Sequence, residues 1–242
     1  MGSINMRPNT EKQTSTFVFV GDSITWGLNH CTGEETYVAF FAAAMAQAFP
    51  DAKVIRYDGI VKDEQSALLG YAPVVVQEGA EGAIHIIRSG VGGNTVARAM
   101  ARIQDFTGIL PSGTKADYIV TMFGINDALK ADPTKYVSAE VFKENYRKLL
   151  RALQADAPNA KIIVMTATTN DQSIDAHVQA TYALVKEENV AIIDMYALWQ
   201  KQYDPEKENF CHGDWLATDA CHPTPKAAKI MGEKIFRELI GE

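Results

Sequence analysis

Residues 17–27 read FVFVGDSITWG, four apolar residues running straight into Gly21, Asp22 and Ser23. A stretch apolar on both faces suits a strand buried inside a parallel sheet, since a half-exposed strand alternates apolar with polar positions. Gly, Asp and Ser are also the commonest turn formers. The stop alone therefore does not separate an ordinary turn from a serine delivered to a fixed point on a sheet edge.

Other runs of strand length recur along the chain: AIHII (83–87), DYIVTMF (117–123), KIIVMTA (161–167) and VAIID (190–194). Helical patterns lie between them. ETYVAFFAAAMAQAF (35–49) runs to a Pro-Asp stop, and a second helix is expected from Asn94, as its cap, through VARAMARIQDF. Segment 137–154 sets Val137, Val141, Phe142, Tyr146, Leu149, Leu150 and Leu153 on one face. A last helix runs from Pro225 to about Ile240. Strands alternating with helices predict an α/β fold with a mostly parallel sheet and helices on both faces. Region 53–82, with KVIRY and PVVVQ, breaks the alternation and reads as an extra strand or hairpin.

In such sheets the working site lies beyond the carboxyl ends of the strands. There the sequence places Gly21-Asp22-Ser23, RSGVGGNT (88–95), GINDA (124–128) and the long stretch from Tyr196 to Pro223. A serine hydroxyl becomes a useful nucleophile when a base takes its proton, and imidazole is the usual base near neutral pH. Of the five histidines, His222 has the best context, with Asp219 three residues earlier to fix its tautomer. Candidate oxyanion donors are the backbone N–H of Ser23, an N–H of the GVGGN turn and the side-chain amide of Asn126.

These residues resemble the SGNH, or GDSL-type, hydrolases. GDSITWG is similar to the first block of that family, Gly93 in GGNT to the second, Gly124-Ile125-Asn126-Asp127 to GxND, and Asp219 to His222 with Pro223 to the last. The resemblance spans residues 21 to 223. It implies a flavodoxin-like three-layer α/β/α sandwich over a single domain, 16–242, after a disordered or tag-like stretch, 1–15. It implies Ser23, Asp219 and His222 as catalytic residues, with Ser23, Gly93 and Asn126 as the oxyanion hole, and no cofactor or metal. The activity expected is hydrolysis of short acyl esters, acetyl above all, on a carbohydrate. Alternatives are a lysophospholipase- or thioesterase-like enzyme, a general carboxylesterase, and a non-catalytic carbohydrate-binding protein. The chain departs from the family pattern at Arg88, where Asn is frequent, and at Ala227, where Gly is frequent.

Asp22, Trp26 and Trp215 are candidate substrate contacts, an aromatic face being what a sugar ring stacks on. Against this stand loop-holding roles for Asp22 and Asp127 and plain packing for the tryptophans. His212, Asp214, Asp219 and His222 match no standard metal spacing, and GVGGNT lacks the third glycine of a dinucleotide fingerprint. His85 reads as a core residue, and His30 and His177 as surface or loop residues.

Composition narrows the partners. Among 242 residues the net charge is −7 with no basic block, which argues against nucleic acid and anionic membranes. No apolar run is long enough to cross a bilayer, and the polar first sixteen residues carry no signal-peptide core. A cytoplasmic protein is expected as written, or an exported one if a leader has been removed. Three cysteines (Cys31, Cys211, Cys221) are too few for a disulfide scaffold, though a Cys211–Cys221 bridge fits an exported protein.

Overall fold

The computed structural model describes residues 14–27, 33–61, 68–168, 172–204, 209–210, 214–219 and 221–241. Cys31, His30, Cys211 (with the Cys211–Cys221 pairing) and His212 lie outside them. The chain begins with β1 (Thr14–Gly21), a one-turn helix α1 (Ser23–Trp26) and α2 (Tyr37–Ala48). β2 (Lys53–Val61), β3 (Leu68–Gln77) and β4 (Ala83–Gly90) follow, then the short helices α3 (Val96–Met100) and α4 (Gln104–Thr107). The second half alternates: β5 (Tyr118–Met122), α5 (Ala139–Asp156), β6 (Lys161–Met165), α6 (Asp175–Glu187), β7 (Ala191–Ile193) and α7 (Met195–Gln200). A two-residue ladder of β8 (Tyr203–Asp204) and β9 (Asn209–Phe210) precedes the final helix α8 (Pro225–Ile240).

The main sheet has seven strands in the order β3-β2-β4-β1-β5-β6-β7. All neighbours run parallel except β2 and β3, which form an antiparallel hairpin at one edge. The strand that breaks the alternation at 53–82 is thus a hairpin laid outside β4. β1 sits centrally, between β4 and β5, and its alternation sorts the core. Phe17 and Phe19 join α2, α7 and α8 on one face, while Val18 and Val20 join α3 to α6 on the other. Each such fully buried side chain contributes roughly 1.5–3 kcal/mol. The chain leaves β1 for one side of the sheet and returns to the other at β5, which makes the carboxyl ends of β1 and β5 the crevice where α/β sheets bind ligands.

Helices begin where side chains cap them. Thr36 accepts the Ala39 N–H at 3.1 Å, Ser138 the Val141 N–H at 3.4 Å, and Thr224 the Ala227 N–H at 3.3 Å, with Pro225 in the first turn of α8. Four expectations change. Thr14 and Ser15 belong to β1 rather than to a disordered terminus. The helix expected from Asn94 is capped by Thr95, whose hydroxyl accepts the Arg98 N–H at 3.3 Å, and it ends after five residues. α6 escaped the sequence reading because its buried stripe mixes His177 and Thr181 with Val178, Leu184 and Val185, and no side chain caps its start. His177, expected on the surface or in a loop, is buried there and donates Nε2–H to the Val137 carbonyl at 3.0 Å. His85 is buried in β4 beside the Tyr57 hydroxyl.

Candidate active site

Why the first strand stops on Gly-Asp-Ser follows from what lies on top of it. Gly21 and Gly90 are register partners at the carboxyl ends of β1 and β4, and α1 crosses directly over them. A Cβ at Gly90 would stand 2.2 Å from the Trp26 backbone nitrogen and 2.6 Å from the Thr25 carbonyl carbon. Only hydrogen fits between strand and helix. Asp22 then caps the turn, its Oδ1 accepting the Ile24 N–H at 2.9 Å, and Gly27 ends it in the left-handed region at φ 86°. Ser23 is the first residue of the helix, so its N–H has no partner within the helix.

One helical turn has no stability of its own, so α1 is held from outside. The Thr25 hydroxyl lies 2.8 Å from the Tyr37 hydroxyl of α2, and Arg88 of β4 donates Nη1–H to the Trp26 carbonyl. Ser23 is only 8 % exposed.

His222 and Asp219 arrive from the opposite end of the chain, on the loop before α8. That loop is a small self-paired structure: Leu216 bridges Pro223, the Ala217 N–H donates to the His222 carbonyl at 2.9 Å, and the Thr224 N–H to the Trp215 carbonyl at 2.9 Å. Trp215 anchors it, packing edge-on against the buried Trp199 at 5.4 Å between ring centres. The Ser23 hydroxyl donates to His222 Nε2 at 2.8 Å, and His222 Nδ1–H donates to Asp219 Oδ2 at 2.8 Å. Asp219 Oδ1 also accepts the backbone N–H groups of Cys221 and His222, both at 3.0 Å. Partial burial pushes this carboxyl up, but those two N–H groups and the imidazole outweigh it and hold the value down at about 2. Asp219 is therefore a carboxylate at any pH at which imidazole works as a base.

The third side of the site is made by the turns after β4 and β5. Gly93 takes φ 64°, a left-handed conformation that favours glycine, in the turn closed by the Asn94 N–H on the Val91 carbonyl at 3.2 Å. The Asn126 side chain, 8 % exposed, donates one Nδ2–H to the Asn94 carbonyl at 3.0 Å. The Val96 N–H answers from the first turn to Asp127 Oδ1 at 3.2 Å. Two bonds in opposite directions thus strap the turn of Gly93 to the turn of Asn126. Burial pushes Asp127 up to about 7, against the pull of the Val96 N–H, and pushes Asp22 up to about 6. Asp127 Oδ2 is buried without a hydrogen-bond partner.

The structure joins Ser23, His222 and Asp219 by hydrogen bonds and ties the turn of Gly93 and Asn94 to the turn of Asn126 and Asp127. It corrects two of the candidate substrate contacts. Asp22 is buried and occupied in capping α1, and Trp215 is 6 % exposed, a core residue rather than a stacking platform. Trp26, one turn from Ser23, is only partly buried. The sequence reading missed the support given by Arg88, Thr25 and Tyr37. The signal available was Arg88 itself, a long cation near the end of a mostly apolar strand. Among the described residues no group of three His, Cys, Asp or Glu side chains could hold a metal, and no helix is long and apolar enough to cross a membrane.

Known proteins share this arrangement of strands. An acetylxylan esterase from Geobacillus stearothermophilus superposes with a TM-score of 0.64 at 21% identity, covering 100% of this chain and 97% of that one. The lipase/acylhydrolase from Enterococcus faecalis gives 0.64 at 19% identity, covering 94% and 96%. The acetyl xylan esterase AlAXEase gives 0.63 at 18%, covering 91% and 97%. At such identities the likeness is one of fold. Among curated protein sequences none matches the chain. Residues 58–230, well over half of the chain and including Gly93, Asn126, Asp219 and His222, match the profile of one sequence family, and on that match the chain belongs to the GDSL-like lipase/acylhydrolase family, hydrolases of ester bonds on the SGNH fold.

Proposed function

We propose that the protein is a serine esterase that removes short acyl groups, acetyl above all, from a carbohydrate alcohol through an acyl-enzyme on Ser23. The observation that carries this reading is the continuous line of hydrogen bonds from Asp219 through His222 to Ser23, each 2.8 Å long. His222 Nε2 accepts the hydroxyl proton as Ser23 Oγ attacks the ester carbonyl, and Asp219 holds the ring in the tautomer that leaves Nε2 free to accept. The oxyanion forms where the N–H groups of Ser23 and Gly93 and the second Nδ2–H of Asn126 can reach it. Loss of one such donor costs about 100- to 1000-fold in rate. His222 then returns its proton to the leaving alcohol, and water attacks the acyl-enzyme by the same steps in reverse.

Support for acetyl and carbohydrate comes from the fold shared with two acetylxylan esterases and from the partly buried Trp26 one turn from Ser23, an aromatic of the kind a sugar ring stacks on. The shared fold with a lipase/acylhydrolase keeps a longer-chain carboxylesterase as the second reading. The test is acetate release from p-nitrophenyl acetate and from a panel of acetylated oligosaccharides, beside a p-nitrophenyl ester series of rising chain length. Activity abolished in Ser23→Ala, with a sharp preference for acetate and one saccharide, is the expected result. Turnover that survives Ser23→Ala refutes the mechanism, and a preference for long chains shifts the assignment to the second reading.

A further inference from the structure

Ser23 rides on a helix too short to hold itself, and the hydrogen bonds that fix its two ends come from different places. The amino end is local: Asp22 caps it, and the Gly27 N–H closes back on the Ser23 carbonyl at 2.8 Å. The carboxyl end carries the Trp26 carbonyl, one of the groups that a helix leaves without an internal partner. Arg88 Nη1 occupies that acceptor from the neighbouring strand.

Arg88 is itself aimed. It faces Asp58 across the β2–β4 pair, and its Nε donates to Asp58 Oδ1 at 3.0 Å. Asp58 is gripped from its other side by Arg56, through Nε at 2.8 Å and Nη2 at 3.0 Å, and Arg56 closes a two-pronged contact on Glu34 at 2.8 and 2.9 Å. Arg56 is only 1 % exposed. Two cations thus meet two anions, so the group is neutral as a whole and offers no excess charge to attract a ligand. Asp58 already has a full partner in Arg56. What Arg88 adds is the reach from the sheet to α1.

We infer that Arg88 is a positioning residue for the nucleophile: anchored by Asp58, it fixes the carboxyl end of α1 so that the Ser23 hydroxyl stays on His222 Nε2. This rests on Ser23 being the nucleophile. The planar guanidinium suits the task because Nε and Nη1 donate in two fixed directions at once. A lysine ammonium at the same place is a single point on a flexible stem and cannot hold both acceptors in that geometry. With the Trp26 carbonyl released, α1 keeps the Asp22 cap and the Thr25–Tyr37 bond but loses its hold at the carboxyl end, and a displacement of about 1 Å at a reacting atom is worth on the order of 100-fold in rate.

The test compares Arg88→Lys, Arg88→Met and Arg56→Lys with the native enzyme. Three quantities are read: the rate constant for phosphonylation of Ser23 by a small fluorophosphonate, the split of kcat against KM on p-nitrophenyl acetate, and the thermal midpoint. Both Arg88 variants are expected to lose about 10- to 100-fold in labelling rate and in kcat, with KM little changed. Arg88→Lys keeps a cation beside Asp58 and so preserves the fold if Arg88→Met does not. Arg56→Lys disturbs the same ionic group without touching α1, and is expected to lower the midpoint while labelling proceeds at the native rate. Native labelling by a folded Arg88→Lys overturns the inference, as does an equal loss in Arg56→Lys. A native enzyme that acquires no phosphonate on Ser23 refutes the nucleophile itself, a different failure, and the inference falls with it.

Discussion

Replacing Gly90 by alanine adds one methyl group at the most confined point of the site. The new Cβ would lie 2.2 Å from the Trp26 nitrogen, 2.6 Å from the Thr25 carbonyl carbon and 2.8 Å from the Trp26 Cα. All three are backbone atoms, so no side chain can rotate away. Ordinary contact begins near 3.4 Å, and 3.4 less 2.2 leaves a displacement of about 1.2 Å to be taken up by α1 or by β4. β4 is fixed on both flanks by β1 and β2, so the helix must give. Overpacking of this kind costs about 1–3 kcal/mol of stability. Lifting Ser23 by the same distance from His222 and from the Gly93 and Asn126 turns costs on the order of 100-fold in kcat. Steady-state turnover of p-nitrophenyl acetate, with thermal melting in parallel, reads both. A folded Gly90→Ala enzyme with a near-native kcat would refute the claim that α1 rests on the strand ends and holds the nucleophile there.

The remaining predictions concern charge and packing. Asp127 is raised from an ordinary value of 3.8 to about 7 by burial, so the folded protein holds this proton more tightly than the unfolded chain. The stability it contributes is full below about pH 4 and is lost as pH rises through 7, a difference of a few kcal/mol. Asp127→Asn, which keeps an acceptor for the Val96 N–H, is therefore expected to melt higher than the native protein at pH 8 and to lose that advantage at pH 4. Melting curves at pH 4, 6 and 8 check the sign, and an Asn variant that is worse at pH 8 by as much as at pH 4 contradicts it. Trp215→Ala opens a cavity against Trp199 and should cost about 3–5 kcal/mol while loosening the loop of Asp219 and His222. Trp26→Ala, altering a partly buried ring, should lower the melting point modestly and raise KM for an acetylated saccharide more than for p-nitrophenyl acetate, which steady-state kinetics on the two substrates would show.

Much of this architecture is legible in the chain because its strands are apolar on both faces and end on polar, glycine-rich turns. That pattern alone implies the parallel sheet and sets Ser23, Gly93 and Asn126 on one edge of it. Asp219 and His222 are legible for a local reason, their spacing of three residues. What the sequence hides is reach across the fold. Nothing in RSGVGGNT shows that Arg88 spans to the Trp26 carbonyl, since that contact joins residues 62 apart. In sequence Trp215 reads equally as a stacking face or as plain packing, and only the neighbouring Trp199 reveals it as an anchor. α6 is hidden by composition, because a buried histidine and threonine interrupt its apolar stripe.

The bond between Ser23 and His222 joins groups 199 positions apart. A growing polypeptide releases this serine 199 residues before the histidine proposed to activate it, which lies just ahead of α8. On the proposed mechanism, until α8 docks and brings His222 into place the hydroxyl is as inert as any other serine, and esters nearby are safe from it. Refolding experiments can exploit this. Recovered turnover reports the arrival of α8 rather than assembly of the sheet, so a lag between regained secondary structure and regained activity would time the final docking step.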